Sequence, residues 1–120
     1  MVELSDYGDR VLGGEDVPLV RYIADRISSR SSVPVTPAQL MTWLGAWPWL
    51  LVLDGLDEVA APSVRRQITR AVSDFLVDAA RARANVLIVV TTRPQGYAGE
   101  FGAEDYQRLD MLPLETERAI

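Results

Sequence analysis

The chain has 120 residues, a net charge of −5, 48% hydrophobic residues and 24% charged residues, which is typical of one globular domain or part of one. It contains no cysteine, histidine or lysine, and this excludes disulfides, thiolate metal sites, Ser-His-Asp hydrolysis and Schiff-base chemistry. The acidic charge and scattered arginines indicate that nucleic acid is not a partner, the apolar runs are too short to span a membrane, and the lack of a secretory signal predicts a cytoplasmic protein.

The first part of the chain predicts little regular structure before one clear helix start. Residues 1–16 are polar with little periodicity, so we expect a poorly structured lead-in. Residues 17–20 form a short apolar run that suits a buried strand. Thr36, Pro37 and Gln39 then predict a helix, because threonine caps helices, proline suits the first helical position and glutamine can complete a capping box.

The middle of the chain predicts a βαβ unit. The apolar run of residues 49–53 ends at Asp54, and such a run is typical of a strand covered on both faces of a parallel sheet. A helix is predicted over residues 62–84, with Arg65 on its water-facing side. A second apolar strand follows at residues 86–90. We therefore expect an α/β fold, with a parallel sheet flanked by helices.

Both apolar strands are followed at once by polar side chains. The carboxyl ends of parallel strands lie at the same edge of a sheet, and open α/β sheets bind ligands along that edge. The polar residues that start at Asp54 and at Thr91 should therefore lie close together. Beyond them, a further strand is predicted over residues 107–112, and residues 113–120 are expected to enter a helix.

Three carboxylates lie close together after the first apolar strand, on Asp54, Asp57 and Glu58. An acid at the end of a buried strand suits Mg²⁺, which prefers a few carboxylate contacts and keeps much of its water. Gly55 allows the chain to turn sharply beside a ligand. The alternative is that Asp57 and Glu58 cap the following helix or lie in a solvated turn.

The second apolar strand is followed by two hydroxyls and a guanidinium, on Thr91, Thr92 and Arg93. Arginine can bind a terminal phosphate with two parallel hydrogen bonds, and the proline that follows ends the strand so that Arg93 projects outward. The alternative is an ordinary strand exit in which Arg93 pairs with Asp54 or Asp57. Both roles are compatible in an empty site.

The sequence Leu-Leu-Val-Leu-Asp-Gly-Leu-Asp-Glu-Val at residues 50–59 resembles the Walker B motif of NACHT domains. Residues 86–94 resemble the sensor segment of the same family, an apolar strand followed by Thr or Ser and then Arg-Pro. The resemblance implies that residues 17–120 form part of a P-loop-NTPase-like domain. NACHT domains are signal-transducing ATPases that bind ATP or ADP with Mg²⁺, switch between the two nucleotide states and often form homo-oligomers.

The resemblance also assigns roles to single residues. Asp54 corresponds to the Walker B acid on the Mg²⁺ side. Asp57 or Glu58 would be the catalytic acid that positions the attacking water. Thr92 and Arg93 would contact the nucleotide, with Arg93 as the sensor of the γ-phosphate.

The chain departs from the NACHT pattern by lacking a P-loop, whose backbone amides and lysine supply most of the phosphate binding. We therefore expect no ATPase activity from this chain alone, whether it is a piece of a larger NACHT protein or a remnant that has lost catalysis. The alternative function is a non-catalytic regulatory or oligomerisation domain that retains the fold. A haloacid-dehalogenase-like phosphatase is disfavoured, because its second aspartate would fall at Leu56.

Overall fold

A computed structural model describes residues 1–14, 17–102 and 106–110 of the chain. Its regular elements, in chain order, are β1 (Val2–Glu3), α1 (Leu4–Leu12), α2 (Leu19–Arg30), α3 (Pro37–Ala46), β2 (Trp49–Asp54), α4 (Pro62–Arg81) and β3 (Val86–Val90). Two short 3₁₀ helices, Leu56–Glu58 and Pro94–Gly96, follow β2 and β3. None of the helices in these described ranges is long and apolar enough to cross a membrane.

The strands form a three-stranded sheet in the order β1-β2-β3, and both pairs are parallel. Leu51 lies beside Ile88 and Leu53 beside Val90, so β2 and β3 end level with each other. The helix α4 connects these two strands, which gives the β2-α4-β3 unit that the sequence predicts. The α/β prediction is thus confirmed.

One face of the sheet, called here the inner face, packs against helices. Leu51 and Leu53 point to this face and are buried. Side chains from α2, α3 and α4, among them Ile23, Leu40 and Phe75, meet the sheet around a small cavity. On α4, the buried positions follow the predicted apolar stripe, which consists of Val64, Ile68, Val72, Phe75 and Ala79.

The other face of the sheet, called here the outer face, is exposed. Leu50 and Leu87 are register partners on this face, and they are 62% and 63% exposed. Val89 on the same face is also exposed. The expectation that β2 and β3 are covered on both faces is therefore wrong for the chain as described. An apolar strand sequence is consistent with burial on both faces, but burial also requires an element that packs against each face.

The start of the chain is more ordered than predicted. The expectation of a poorly structured lead-in over residues 1–16 is wrong for β1 and α1, because Leu4 and Tyr7 are almost fully buried in the core. The Tyr7 hydroxyl donates a hydrogen bond to the Val17 carbonyl at 2.6 Å. Residues 17–20 are also not a strand, since α2 begins at Leu19.

Helix α3 begins as the sequence predicts. The Thr36 side chain accepts from the Gln39 backbone N–H at 3.2 Å, and the Gln39 side chain accepts from the Thr36 N–H at 2.9 Å. Both halves of the capping box are thus present. The strand predicted over residues 107–112 is absent from residues 107–110, and its remainder and the helix predicted over residues 113–120 lie outside the described residues.

Candidate functional site

The ends of β2 and β3 lie together at the carboxyl edge of the sheet, as predicted. The Thr91 N–H donates to the Leu53 carbonyl at 2.9 Å. The Thr91 carbonyl in turn accepts from the N–H groups of Gly55 and Leu56, at 3.2 and 3.0 Å. The hydrogen bonding between the strands therefore continues into the polar segments that follow them. We call residues 54–59 the acidic turn and residues 93–101 the Arg93 loop.

Asp54 ends β2 on the outer face of the sheet, following Leu50 and Val52 in alternation. Its Oδ1 atom accepts a short hydrogen bond from the Thr91 hydroxyl, and the Gly55 N–H donates to the same hydroxyl oxygen at 3.1 Å. Within the described part of the chain, no residue donates a hydrogen bond to Oδ2 of Asp54. One carboxylate oxygen is thus fixed by the protein and the other is available.

Gly55 turns the chain away from β2. Its φ of 84° lies in the left-handed region, where a side chain is strained. The turn allows Leu56, which is fully buried, to enter the core directly after the strand. The acidic turn is therefore held between the Thr91 hydrogen bonds on one side and a buried leucine on the other.

Asp57 faces the Arg93 loop. Its Oδ1 atom accepts from the Arg93 backbone N–H at 3.3 Å, and its Oδ2 atom lies 3.8 Å from the Arg93 Nε. Gly96 packs directly on Asp57, because a Cβ added to Gly96 would lie 2.5 Å from the Asp57 Cβ. Asp57 therefore anchors the start of the Arg93 loop.

Glu58 occupies a different environment from Asp57. It is exposed, and its carboxyl lies beside Gly55, where an added Cβ would approach it to 3.3 Å. In residues 1–14, 17–102 and 106–110, the Glu58 carboxylate has no hydrogen-bond or ion-pair partner. Of the two acids predicted as catalytic, Asp57 is the one that is paired within the described residues.

The structure separates the two threonines that follow β3. Thr91 reaches Asp54, whereas the Thr92 hydroxyl donates to the neighbouring Arg93 carbonyl, at 3.2 Å. The Arg93 side chain is 84% exposed and projects from the edge of the sheet. The predicted outward projection of Arg93 is therefore present, and so is the pairing with Asp57 that the alternative, an ordinary strand exit, predicts. Thr91, to which the resemblance assigned no contact with the nucleotide, is the threonine in contact with the acidic turn.

Two further charged residues at this edge were missed by the sequence analysis. Glu3, in β1, is the register partner of Asp54, and the residues around Glu3 in the sequence do not predict this pairing. Arg65 was expected to face water, and that expectation is wrong. Its side chain is 14% exposed and donates to carbonyls of both the acidic turn and the Arg93 loop.

Arg65 also forms an ion pair with Glu100, with 2.9 Å between Nη1 and Oε1. Burial raises the pKa of Glu100, but hydrogen bonds from its own backbone N–H, from Arg65 and from the Ala98 N–H outweigh this effect. They hold the pKa below its ordinary value of 4.5. Glu100 is thus a carboxylate at neutral pH and pairs with Arg65 as an anion.

The acidic residues at this edge offer a metal ion few protein contacts. Among the described residues, no three acidic side chains are close enough together to hold a metal ion by themselves. The Oδ2 atom of Asp54 can hold a metal-bound water, since Mg²⁺ beside a nucleotide uses few protein carboxylates and keeps much of its water. A larger groove, of about 650 Å³, lies elsewhere, between α1, α2 and α4.

Comparisons with known protein families, with curated proteins and with solved structures found no match to this chain.

Proposed function

We propose that this chain is the Walker B and sensor portion of a NACHT-type ATP-binding and hydrolysing signalling switch. The observation that supports this most is the meeting of the two motifs at one edge of a parallel sheet. Asp54 contacts Thr91 there, and Asp57 contacts Arg93. Open α/β sheets bind ligands at this edge.

Each polar residue at the edge has a distinct role in the proposal. Asp54 holds a water of the nucleotide-bound Mg²⁺ through its free oxygen. Glu58 is the acid that orients the attacking water, because its carboxylate is exposed and unpaired among the described residues. Arg93 binds the γ-phosphate, and Asp57 holds the backbone of Arg93 at the position from which it does so. Mg²⁺ supplies neutralisation of charge on the phosphates when it is bound.

The chain alone should bind ATP weakly or not at all. The proposed contacts are few, and the surrounding carboxylates repel a triphosphate whenever Mg²⁺ is absent. Association must first overcome a loss of translational and rotational freedom of about 4–15 kcal/mol, which so few contacts do not offset. In the proposal, the remaining phosphate contacts come from the rest of a larger NACHT protein, which binds ATP or ADP and forms homo-oligomers.

The test uses two forms of the protein. Calorimetry with Mg-ATP on the 120-residue chain should detect no submicromolar binding. A form extended upstream through any P-loop that the gene encodes should bind and hydrolyse ATP. In that form, Glu58→Gln should retain ATP while stopping turnover, and Arg93→Ala should weaken the discrimination between ATP and ADP.

The control variant is Arg66→Ala, which removes an exposed arginine of α4 and should leave both binding and turnover unchanged. Submicromolar binding of ATP by the bare chain would mean that the phosphate site lies elsewhere. Binding without turnover in the extended form, unaltered by Glu58→Gln, would support the second candidate, a regulatory or oligomerisation domain that retains the fold. The second candidate is retained because this chain contains no lysine.

A further inference from the structure

Arg65 lies in the first turn of α4, close to the helix start at Pro62. A cation at this end of a helix is disfavoured by the helix dipole, and burial of its guanidinium adds a desolvation penalty. The Arg65 side chain is nevertheless only 14% exposed. Its position therefore requires compensating contacts from the residues around it.

These contacts come from two different segments. On the side of the acidic turn, the Nε of Arg65 donates to the Val59 carbonyl at 2.6 Å, and Nη2 lies 3.5 Å from the Asp57 carbonyl. On the side of the Arg93 loop, Nη1 donates to the Gly96 carbonyl at 2.5 Å and to Glu100 at 2.9 Å. One guanidinium thus binds both segments at once.

The two segments are also in direct contact at the point where Arg65 joins them. Gly96 lies against the Cα and Cβ of Asp57, with no room for a side chain between them. The Arg65 hydrogen bond to the Gly96 carbonyl keeps this contact closed. Because Asp57 also accepts from the Arg93 N–H, a change in the position of Gly96 moves the residue that carries the exposed guanidinium.

We propose that Arg65 is a positioning residue, which holds the acidic turn and the Arg93 loop in register and thereby fixes where Arg93 stands relative to the acids. The functional importance of this register rests on the proposed function, in which the register sets the distance between Asp54 on the metal side and Arg93 on the phosphate side. The register itself is a property of the chain. It can be measured without nucleotide.

Lysine cannot replace Arg65 in this role. The guanidinium is a planar fork whose N–H groups point in several directions at once, whereas the lysine ammonium is a compact charge at the end of a flexible stem. Arg65→Lys should retain the pairing with Glu100 but lose simultaneous donation to the Val59 and Gly96 carbonyls. The variant therefore separates the charge of Arg65 from its geometry.

Amide hydrogen exchange on the 120-residue chain is the first measurement. The N–H groups of Gly96 and Tyr97 bond to the carbonyls of Arg93 and Pro94 in the turn that Arg65 holds. Loss of charge-assisted hydrogen bonds should accelerate exchange at these amides by about tenfold in Arg65→Lys. The Thr91 N–H, which bonds to β2, should keep its protection and serves as the reference within the same molecule.

The matched control is Arg66→Lys, the same substitution at the exposed neighbour of Arg65. It should leave all of these amides unchanged. Glu100→Gln is a second variant, in which Arg65 still reaches both carbonyls, so exchange should increase less than in Arg65→Lys. Unchanged exchange at Gly96 and Tyr97 in Arg65→Lys would overturn the proposal. A uniform increase that includes Thr91 would also overturn it, because Arg65 would then be a general stability residue.

The second measurement uses the upstream-extended form, if it hydrolyses ATP. There, Arg65→Lys should lower kcat by about tenfold and weaken the discrimination between ATP and ADP, because a misplaced Arg93 loses its contact with the γ-phosphate. An unchanged kcat would contradict the positioning role even where exchange is altered. An extended form without hydrolysis would contradict the proposed function instead, and the exchange result would then decide the role of Arg65.

Discussion

The Thr91 hydroxyl donates a hydrogen bond to the Asp54 carboxylate across β2 and β3, and the same oxygen accepts from the Gly55 N–H. The hydroxyl thus links a backbone N–H donor to a carboxylate acceptor. It fixes the rotation of the Asp54 carboxylate at the edge of the sheet.

Thr91→Val should remove this link while keeping the shape of the side chain. We expect the free energy of unfolding to fall by about 1 kcal/mol, the usual contribution of a partly buried hydrogen bond. Thr91→Ser retains the hydroxyl and should recover most of the loss. Urea denaturation measures both variants. Thr92→Val is the control, because among the described residues the Thr92 hydroxyl bonds only to the adjacent Arg93 carbonyl, and an equal loss there would contradict the assignment.

Gly96→Ala should separate the Arg93 loop from the acidic turn. The added methyl group would lie 2.5 Å from the Asp57 Cβ, so one segment must shift. Overpacking of this kind destabilises proteins by about 1–3 kcal/mol. Gly102→Ala is the matched control, because no described residue lies within 4 Å of a Cβ at that position. Equal denaturation midpoints for the two variants would mean that Gly96 and Asp57 are not in contact.

The two faces of the sheet should respond differently to the same truncation. Leu53→Ala on the inner face removes a fully buried side chain and should lower the free energy of unfolding by about 2–5 kcal/mol. Leu87→Ala on the outer face should change it by less than about 0.5 kcal/mol, as exposed substitutions usually do. Thermal or urea denaturation measures the free energy of unfolding of both variants. A large loss for Leu87→Ala would mean that the outer face is covered in solution.

Acid should weaken the contact between Arg65 and Glu100. The pKa of Glu100 is lowered in the folded chain, so its contribution to stability is fully present above its ordinary value of 4.5 and is lost as the pH falls through the lower folded value. Glu100→Gln cannot titrate. Its free energy of unfolding should therefore depend less steeply on pH below 4.5 than that of the unmodified chain. Parallel pH profiles for the two proteins would contradict the lowered pKa.

Arg93 should matter little for folding. Its side chain is 84% exposed and its Nε lies 3.8 Å from Asp57, and ion pairs at such exposed positions contribute about 0–1 kcal/mol. Arg93→Ala should therefore leave the denaturation midpoint almost unchanged. Asp57→Ala should lower it more, because Asp57 also accepts from the Arg93 backbone N–H. The reverse order would indicate that the Arg93 side chain has a structural role.

The sequence predicted the parts of the fold that depend on local pattern. Two apolar runs on either side of an amphipathic helix define the β2-α4-β3 unit, and the polar residues after each run lie at one edge because parallel strands end there. The contact between Asp54 and Thr91 was predictable by the same reasoning, since each is the first polar residue after its apolar run. Arg65 was not, because its partners at Val59 and Gly96 meet only in the folded chain.

The N-terminal elements were missed for a different reason. Strand β1 has only two residues, Val2–Glu3, too few for an alternating pattern to be recognised. Helix α1 contains Gly8, which lowers helix propensity but allows close approach to Val64 at the start of α4. The tertiary contact outweighs the local preference in this case, and a single sequence does not reveal such contacts.

The exposed outer face of the sheet also determines the electrostatic surroundings of the candidate site. Leu50, Val52 and Asp54 point the same way from β2, so the acid that ends the strand shares a face with the exposed leucines. An element that packs on those leucines and extends to the end of β2 would also exclude water from the space beside Asp54 and Thr91. The local dielectric constant would fall, and the attraction between Arg93 and a phosphate would increase in proportion. Covering the outer face of the sheet would then also strengthen phosphate binding at its carboxyl edge.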